Sequence, residues 1–338
     1  MRTPNAQSEK DKRPYSAVAK KRRMKTSHSL TIIAATLILA STHALAQQTH
    51  VAGYKIDLGI SIGTDGIGID ISTPINDMLS LRAGFTGLPH FQVPATFTFG
   101  DNGAGAEYNQ ETSTEKMIDM LRNTTGLEVD DKITMLATPT WKAARVLLDV
   151  KPLQNRHWHF TAGMYLSPRT VATVANAPAD ASTITSVSIY NYLYDQAALG
   201  QPLISMGDFD LYSPAIQDRI LRHGRLGVPV GTFPDGSEYI LYPSKEASFS
   251  ARVKVPAIKP YLGAGYEGNL LPGNPDFRFS VDGGLMLLYK TPSVVMHDGT
   301  DIVHDLSSWN GRLQPVCRFL RGMYAYPVVT FRVSHKLF

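Results

Sequence analysis

The stretch "HVAGYKIDLGISIGTDGIGIDIS", residues 50–72, alternates apolar residues with polar or very small ones. Even-numbered positions from Ala52 to Ile62 are apolar, whereas odd-numbered positions from Gly53 to Gly63 are glycine, serine or charged. A period of two is typical of a β-strand that has two different environments on its two faces. The turn "GTDG", residues 63–66, separates two such segments. The stretch therefore predicts a β-hairpin with one apolar face and one small or charged face.

The same alternation recurs along the chain in segments of about ten residues. These segments are 79–86, 144–151, 157–166, 247–255, 277–287 and 329–337. Such segments are the signature of a transmembrane antiparallel β-barrel, whose apolar face meets lipid and whose other face lines the interior. A soluble β-sandwich shows the same alternation. Aromatic residues near predicted strand ends favour the barrel, because they could form interfacial girdles; they are Tyr54, Trp158, Tyr289 and Tyr326.

The N-terminal residues have the pattern of a secretory signal peptide. A basic stretch, 20–29, precedes an apolar run of eleven residues, 30–40, and small residues follow at Ala44 and Ala46. The run is too short to span a bilayer, which takes about 20 residues. We therefore expect residues 1–46 to be a signal peptide with an N-terminal extension, and residues 47–338 to form the mature barrel.

The charge and the cysteine content argue against a nucleic-acid-binding protein and against a disulfide-stabilised fold. The whole chain has 33 basic and 29 acidic residues, and residues 1–46 hold nine and two of these. The mature chain therefore has 24 basic and 27 acidic residues, a net charge of −3, and no nucleic-acid partner is predicted. Cys317 is the single cysteine, so no intrachain disulfide can form. No motif for a cofactor is present.

The strand count follows from the rule that exported barrels have an even number of strands and short periplasmic turns. We expect about ten strands, with eight or twelve as alternatives, including a weak strand near 293–297. The connections 255–260 and 289–293 then count as short periplasmic turns. The long connections 88–140, 168–245 and 298–323 become outer loops.

These outer loops contain local structure of their own. Helical patterns occur at 112–123, 186–199 and 213–224, and a hairpin is predicted around Pro234–Gly236. Connections of this length that carry such elements indicate a folded extracellular cap.

Several segments resemble a poorly characterised family of bacterial outer-membrane β-barrel proteins. They are "KPYLGAGYEGN" (259–269), "FRFSVDGGLMLLYKTPSV" (277–294), "YPVVTFRVSHKLF" (326–338) and the early "GIGIDISTPINDMLSLRAGF" (66–85). The resemblance implies a bacterial outer-membrane location, with outer-membrane lipid and the assembly machinery as partners. The terminal Phe338 resembles the signal that this machinery reads, although the alternation of the last strand leaves Phe338 out of phase with Leu337, Val333 and Phe331.

Charged residues on the predicted inner face form a ladder. Its members are Lys55, Asp57, Asp70, Arg82, Arg145, Asp149, Arg252, Lys254, Arg278, Asp282 and Arg332, with Lys151 and Lys336 as further bases. One interpretation is a salt-bridged interior. The other is an anion-preferring pore, since the bases outnumber the acids nine to four. Because barrels of eight strands hold little more than side chains and open porins have sixteen or more, a filled lumen is favoured.

Two further groups of residues could carry chemistry. "HWH" places His157 and His159 two residues apart, a spacing that could bind a metal, but no third ligand is evident and two interior histidines are the simpler interpretation. A cluster at the presumed outer rim contains His297, Asp298, Asp301, His304 and Asp305. Ten-stranded surface proteases, the omptins, have catalytic His and Asp pairs at such a rim, but this is an analogy of position without a shared motif.

The sequence therefore predicts a non-enzymatic, monomeric outer-membrane barrel whose structured cap contacts an unknown extracellular ligand. A narrow anion-preferring channel is the first alternative, and a hydrolase at the outer rim is the second.

Overall fold

A computed structural model describes residues 55–98, 118–119, 121–123, 125–130, 132–152, 157–206 and 209–337. The signal peptide predicted at 1–46, Tyr54 and Phe338 lie outside these residues. The strands are β1 (Asp57–Gly63), β2 (Gly66–Pro74), β3 (Leu79–Gly87), β4 (Val93–Thr98), β5 (Lys132–Pro139), β6 (Lys142–Val150), β7 (Trp158–Leu166), β8 (Thr170–Asn176), β9 (Ile204–Met206), β10 (Phe209–Leu211), β11 (Val228–Thr232), β12 (Glu238–Leu241), β13 (Ser250–Lys254), β14 (Ile258–Leu271), β15 (Asn274–Leu287), β16 (Ser293–Met296), β17 (Ser308–Trp309) and β18 (Ala325–Lys336). The helices are α1 (Ala181–Ala198), α2 (Pro214–His223) and α3 (Leu313–Arg321).

Eight strands close into an antiparallel barrel in the order β1-β18-β15-β14-β7-β6-β3-β2. The first and last strands pair along their whole common length, from Asp57 opposite Lys336 to Gly63 opposite Thr330. The predicted all-β barrel is confirmed, with the strand number of the eight-stranded alternative instead of ten. The register of β18 is continuous to Lys336, and its apolar phase of Phe331 and Val333 lies on the outer face, as the alternation predicts.

A second sheet extends the barrel wall at one end. Its order, β16-β13-β8-β5-β4, repeats the order of the barrel strands β15-β14-β7-β6-β3, to which each of its strands is joined in the chain. The hydrogen bonds continue through the junction, since Ser167 N donates to Ala257 O at 2.9 Å and Val255 N donates to Arg169 O at 2.8 Å. Five barrel strands therefore rise beyond the barrel as an open wall, whereas β1, β2 and β18 have no strand that continues them in this sheet.

This wall corrects two details of the predicted topology. The predicted strands at 247–255 and 293–297 correspond to β13 and β16, which lie in the second sheet. Connections 255–260 and 289–293 therefore lie at the same end as the cap, because Pro256 and Pro292 bend the chain between strands without reversing it. The end with short turns carries 75–78, 272–273, the end of β6 at Val150, the start of β7 at Trp158 and both chain ends of the barrel.

The elements at the other end agree with the predicted cap. Helix α2 begins after Ser213 and ends at Gly224, which has a φ of 79°. The hairpin β11–β12 turns through Gly236, with a φ of 88°. Helix α1 covers the second predicted helix, and of the first, 118–119 and 121–123 are helical while 112–117 and 120 lie outside the described residues. Among the described helices, none is long and apolar enough to cross a membrane.

The cap has two apolar cores. The first core joins the second sheet to the sheet β12-β11-β17 and to α3, and its buried members include Ile133, Val230, Phe249, Val303 and Cys317. The second core joins α1, α2 and residues 118–130, with Val187, Tyr190 and Ile220 at its centre. The cap is therefore a packed structure with its own interior.

Candidate functional site

The barrel wall has its apolar side chains outside and its charged side chains inside. Phe85, Phe160 and Leu262 are 68%, 58% and 58% exposed on the outer surface, whereas Arg145 and Asp70 are each 2% exposed in the lumen. An apolar outer band around a polar interior is the arrangement that a lipid bilayer requires of a β-barrel, because charged groups are costly in hydrocarbon. The lumen is therefore the candidate site.

Two guanidinium groups hold the carboxylate of Asp70. Arg145 Nη2, from β6, lies 2.7 Å from Asp70 Oδ2, and Arg332 Nε, from β18, lies 2.7 Å from Asp70 Oδ1. Each arginine also donates to a serine hydroxyl, Arg145 to Ser61 at 2.7 Å and Arg332 to Ser72 at 3.1 Å. We call these five side chains the upper network, because they lie nearer to the cap than the second group described below. They join β1, β2, β6 and β18 across the lumen. Charge-assisted bonds of this kind are among the stronger ones in proteins.

A second network lies around Arg82. Its Nη2 atom is 2.9 Å from Asp149 Oδ1 and 3.5 Å from Asp282 Oδ1. Asp282 Oδ1 is also 2.6 Å from His159 Nε2, and Asp282 Oδ2 accepts a hydrogen bond from Ser280 at 2.9 Å. All five side chains are buried, so both carboxylates have their charge compensated inside the barrel. His159 of the "HWH" motif thus belongs to the lumen network, while His157 stacks on Tyr266 at the end with short turns.

Asp65 completes the upper network, although the sequence analysis treated it only as a turn residue. It lies between β1 and β2, is 2% exposed, and places Oδ2 3.4 Å from Arg145 Nη1 and 3.3 Å from the hydroxyl of Tyr165. Its main-chain oxygen accepts a hydrogen bond from Trp141 Nε1 at 3.0 Å. Asp65 is an even number of residues from Ser61, so it points to the same inner face of the sheet. This spacing could have identified Asp65 from the sequence.

Two glycines leave the space that these long side chains occupy. A Cβ atom on Gly59 would lie 2.4 Å from Arg332 Nε, and one on Gly265 would lie 2.5 Å from His159 Nε2. Real Cβ contacts of this length do not occur, so any larger residue would displace the charged side chain. The charged side chains of the lumen can therefore take these positions only because the inner face has glycine at residues 59 and 265.

The lumen is filled above and below these networks. Towards the cap lies an apolar cluster of Ala143, Leu147, Tyr165, Tyr261, Met286 and Val328. Beside it, buried Lys259 donates to Ser167 Oγ and places its ammonium group 4.9 Å from the centre of the Trp141 ring. Towards the short turns, Glu267 pairs with Lys151 and with Arg278.

Three predicted ladder residues lie outside the barrel strands, and a fourth, Asp57, lies on the inward phase of β1 at the edge of the lumen. Lys55 precedes β1 and is exposed, and Asp57 is half-buried at the start of β1. Arg252 and Lys254 belong to β13 in the second sheet, outside the barrel. Among the buried charged residues that the structure describes, the lumen contains three arginines and one lysine against four aspartates. The excess of bases counted from the sequence does not exist in this interior.

The predicted rim cluster separates into several structural contacts. Asp298 accepts a hydrogen bond from the Tyr239 hydroxyl at 2.7 Å, and the ring of His297 packs against Phe249. Asp305 accepts from the backbone N–H of Asp301 at 2.8 Å. Within the described ranges, no group of three His, Cys, Asp or Glu residues could hold a metal ion.

One part of this cluster has the geometry of a proton relay. Asp301 Oδ2 lies 2.8 Å from His304 Nδ1, and His304 Nε2 lies 2.8 Å from Thr291 Oγ1. Asp301 also accepts backbone hydrogen bonds from Val294 and Val303, which is the role of a turn-stabilising aspartate. The residue after Thr291 is a proline, so no backbone N–H is present there to stabilise an oxyanion.

The outer band, the charged lumen and the closed eight-stranded sheet together decide the class of protein. The chain is an outer-membrane β-barrel. Barrels of this kind occupy the bacterial outer membrane, and the apolar band shows which surface meets its lipid.

Comparison with known proteins gives only distant matches. No protein-family model matches the chain, and no curated protein matches it significantly. Among solved structures, CarO2 of Acinetobacter baumannii is 11% identical at a TM-score of 0.36, over 84% of this chain and 99% of that one. CarO of the same organism is 10% identical at 0.35, over 86% and 100%. A major outer membrane protein from Thermus thermophilus is 8% identical at 0.30, over 84% and 99%. Similarity this low carries no information about function.

Proposed function

We propose that this chain is a non-enzymatic, monomeric outer-membrane barrel that does not conduct ions and whose folded cap contacts an extracellular ligand or partner. The observation that carries the proposal is the lumen. Buried arginines and aspartates there are paired with one another, and the apolar cluster closes the end next to the cap. Eight-stranded barrels are only wide enough for side chains to fill, so such an interior leaves no aqueous path.

The cap supports the second half of the proposal. Its wall continues five barrel strands, and its two cores pack helices and a small sheet against that wall. A long connection with this much structure is typical of a functional segment. On α1 and directly after it, Tyr192 and Leu199 remain 57% and 70% exposed, which offers an apolar surface for a partner.

The orientation follows from the lengths of the connections. Outer-membrane barrels have short periplasmic turns and long extracellular loops. The end that carries turns 75–78 and 272–273 is therefore proposed to be periplasmic, and the cap is proposed to be extracellular.

Orientation can be tested with a matched pair of exposed turns. A protease cleavage site inserted at 234–236 in the cap should be cut in intact cells, whereas the same site inserted at 272–273 should be cut only after the cells are opened. Cleavage of the second site in intact cells would reverse the orientation.

Conductance tests the closed lumen. The refolded protein in a planar bilayer should show no stable openings, with a sixteen-stranded porin as a positive control. The double variant Arg82→Ala/Arg145→Ala should leak, because it removes two buried side chains, leaves Asp149 without its arginine and leaves Asp70 with Arg332 alone. Arg225→Ala, in the cap, should remain silent. Stable openings of porin size in the unaltered protein would refute the closed barrel.

The channel and hydrolase alternatives make separate predictions. An anion-preferring channel needs an excess of base in the lumen, and the near balance of buried charges does not favour one. For a hydrolase, the supporting observation is the chain from Asp301 through His304 to Thr291. If the relay were catalytic, Thr291→Ala would abolish cleavage of ester or peptide probes by purified barrels. We expect no such cleavage in either protein.

A further inference from the structure

Helix α3 is fixed to the cap by one face. Cys317 is 1% exposed in the first core, and Arg321 donates through Nε to the main-chain oxygen of Val303 at 2.8 Å. The Arg321 guanidinium also lies 4.5 Å from the centre of the Trp309 ring. These contacts determine which side of the helix points away from the cap.

The opposite face is apolar and uncovered. Val316 and Phe319, one turn apart, are 52% and 65% exposed. Large exposed side chains at this spacing form a continuous stripe on a helix. Nothing in the described part of the chain packs over Phe319.

This stripe lies close to the cap end of the lipid-facing surface of the barrel. Tyr324, 65% exposed, lies between α3 and β18, and Val329 on the outer face of β18 is 55% exposed. Tyr324 is five positions after Phe319 in the chain, which limits the distance between their Cα atoms to about 18 Å. Strand β18 has no continuation in the second sheet. The C-terminal end of α3 therefore lies next to the cap end of β18, where the lipid-facing wall on that side of the barrel ends.

Basic residues flank the stripe. Arg312, directly before α3, and Arg318, on α3, are both exposed. Lys290, exposed just after β15, adds a third positive charge near the same rim; the neighbouring β15–β18 pair ends with Leu288 N donating to Tyr324 O at 2.8 Å. An apolar stripe bordered by bases is the composition of a helix that lies in a membrane interface.

We infer that α3 is an interfacial helix, which inserts Val316 and Phe319 into the acyl boundary of the adjoining leaflet and directs Arg312 and Arg318 to lipid phosphate groups. The occupant of this face is the anionic lipid surface, because α3 is joined directly to the cap end of the lipid-facing strand β18 and the charge beside the stripe is complementary to phosphate. The proposed orientation of the barrel makes this leaflet the outer one, but contact with lipid does not depend on that assignment.

Spin labelling of the full chain in bilayer nanodiscs tests the inference. A label at Phe319→Cys should be accessible to oxygen and shielded from a water-soluble nickel chelate, at a depth of about 5–10 Å below the phosphates. The matched control is Leu199→Cys, which is exposed to a similar degree at the end of α1 and should be accessible to nickel. Cys317 is buried, and the unaltered protein measures its background labelling.

Each outcome has a defined meaning. Oxygen accessibility at 319 that is unchanged when labelled protein is diluted with unlabelled protein supports the inference. Nickel accessibility equal to that at position 199 overturns it. Spin–spin broadening at 319 that disappears on dilution also overturns it, because a second copy of the chain would then cover this face. A second pair, Arg312→Glu/Arg318→Glu, should reduce the depth at 319 in anionic bilayers more than in zwitterionic ones. The cleavage-site experiment tests orientation separately.

Discussion

Strands β13 and β14 follow one another in the chain, yet they bury opposite kinds of side chain. In β13, Ala251 is 6% exposed within the cap while Arg252 faces water. In β14, Lys259 is 1% exposed within the lumen while Leu262 is 58% exposed on the wall. The backbone alternation is the same in both strands. The medium outside the sheet therefore decides which face turns inward: water outside the cap, and hydrocarbon outside the barrel.

The largest expected effect tests the polar interior of the barrel. Arg145→Ala should lower the free energy of unfolding by about 3–5 kcal/mol, because removing one partner leaves the Asp70 carboxylate buried with half of its compensation. Urea unfolding of the vesicle-embedded protein, followed by the change in gel mobility, measures this loss.

The control for Arg145 is an ion pair on the cap surface. Arg225 lies 3.6 Å from Asp195, and the two side chains are 41% and 46% exposed. Arg225→Ala should therefore cost only about 0–1 kcal/mol. Equal losses in the two variants would mean that the lumen is open to water and that the two regions do not differ.

A smaller effect is expected at the outer wall. Phe160→Arg should cost about 2–4 kcal/mol and reduce assembly into membranes, because it places a charge on the lipid-facing surface. The matched cap variant is Leu221→Arg, at a side chain 40% exposed to water, which should change stability by no more than about 0.5 kcal/mol. Heat-modifiable mobility of outer-membrane fractions reports assembly, and normal assembly of Phe160→Arg would count against the membrane-embedded wall.

Within the cap, a single hydroxyl should matter less. Tyr239→Phe removes the hydrogen bond to Asp298 and should cost about 0.5–1.5 kcal/mol of cap stability. Burial and the Asp298 carboxylate both raise the pKa of Tyr239, so its hydroxyl remains a donor at neutral pH. Tyr212→Phe, at an exposed hydroxyl, is the control. Trp309 fluorescence during urea titration distinguishes the two variants.

The smallest effect concerns reactivity without any mutation. Burial raises the pKa of the Cys317 thiol to about 11. Because the thiolate is the reactive form, Cys317 should resist a disulfide reagent at pH 8 until the cap opens. As pH rises from about 9 through 11, the unfolded thiol ionises first and cap stability should fall. We expect labelling to begin at a lower urea concentration than loss of the barrel's gel mobility; the reverse order would show that the cap does not open before the barrel.

The alternation in the sequence was sufficient to predict a transmembrane barrel, because segments of period two about ten residues long recur between turn residues. It was not sufficient to assign each strand to the barrel. Strand β13 carries the same alternation as the barrel strands, and only the strand pairing shows that it lies in the second sheet together with β16. Ten and eight are both even numbers. Counting β13 and β16 as barrel strands therefore still allowed the predicted barrel to close, with ten strands in place of eight.

The lumen residues were predicted where the strand phase was clear. Asp70, Arg82, Arg145, Asp149, Asp282 and Arg332 all lie buried in the barrel. Asp65 was missed because it lies in the turn between β1 and β2, although its side chain still points to the inner face. Lys259 was missed because it precedes Pro260 at the start of β14 and was counted as part of a turn. Partners across the barrel, such as Asp70 and Arg332, are 262 residues apart, and no local pattern relates them.

The pairing of β1 with β18 has a consequence for the order of biogenesis. Strand β1 can pair with β18 only after β18, the last strand in sequence order, has been made. The seam between β1 and β18 therefore closes last. Arg332 reaches over Gly59 of β1 to Asp70 of β2, and it thereby crosses the seam as a latch. A chain that lacks β18 would leave β1 and β15 as open edges, and Asp70 would lose its contact with Arg332. Quality control of such truncated chains would meet two unpaired edges, β1 and β15, in place of a closed sheet.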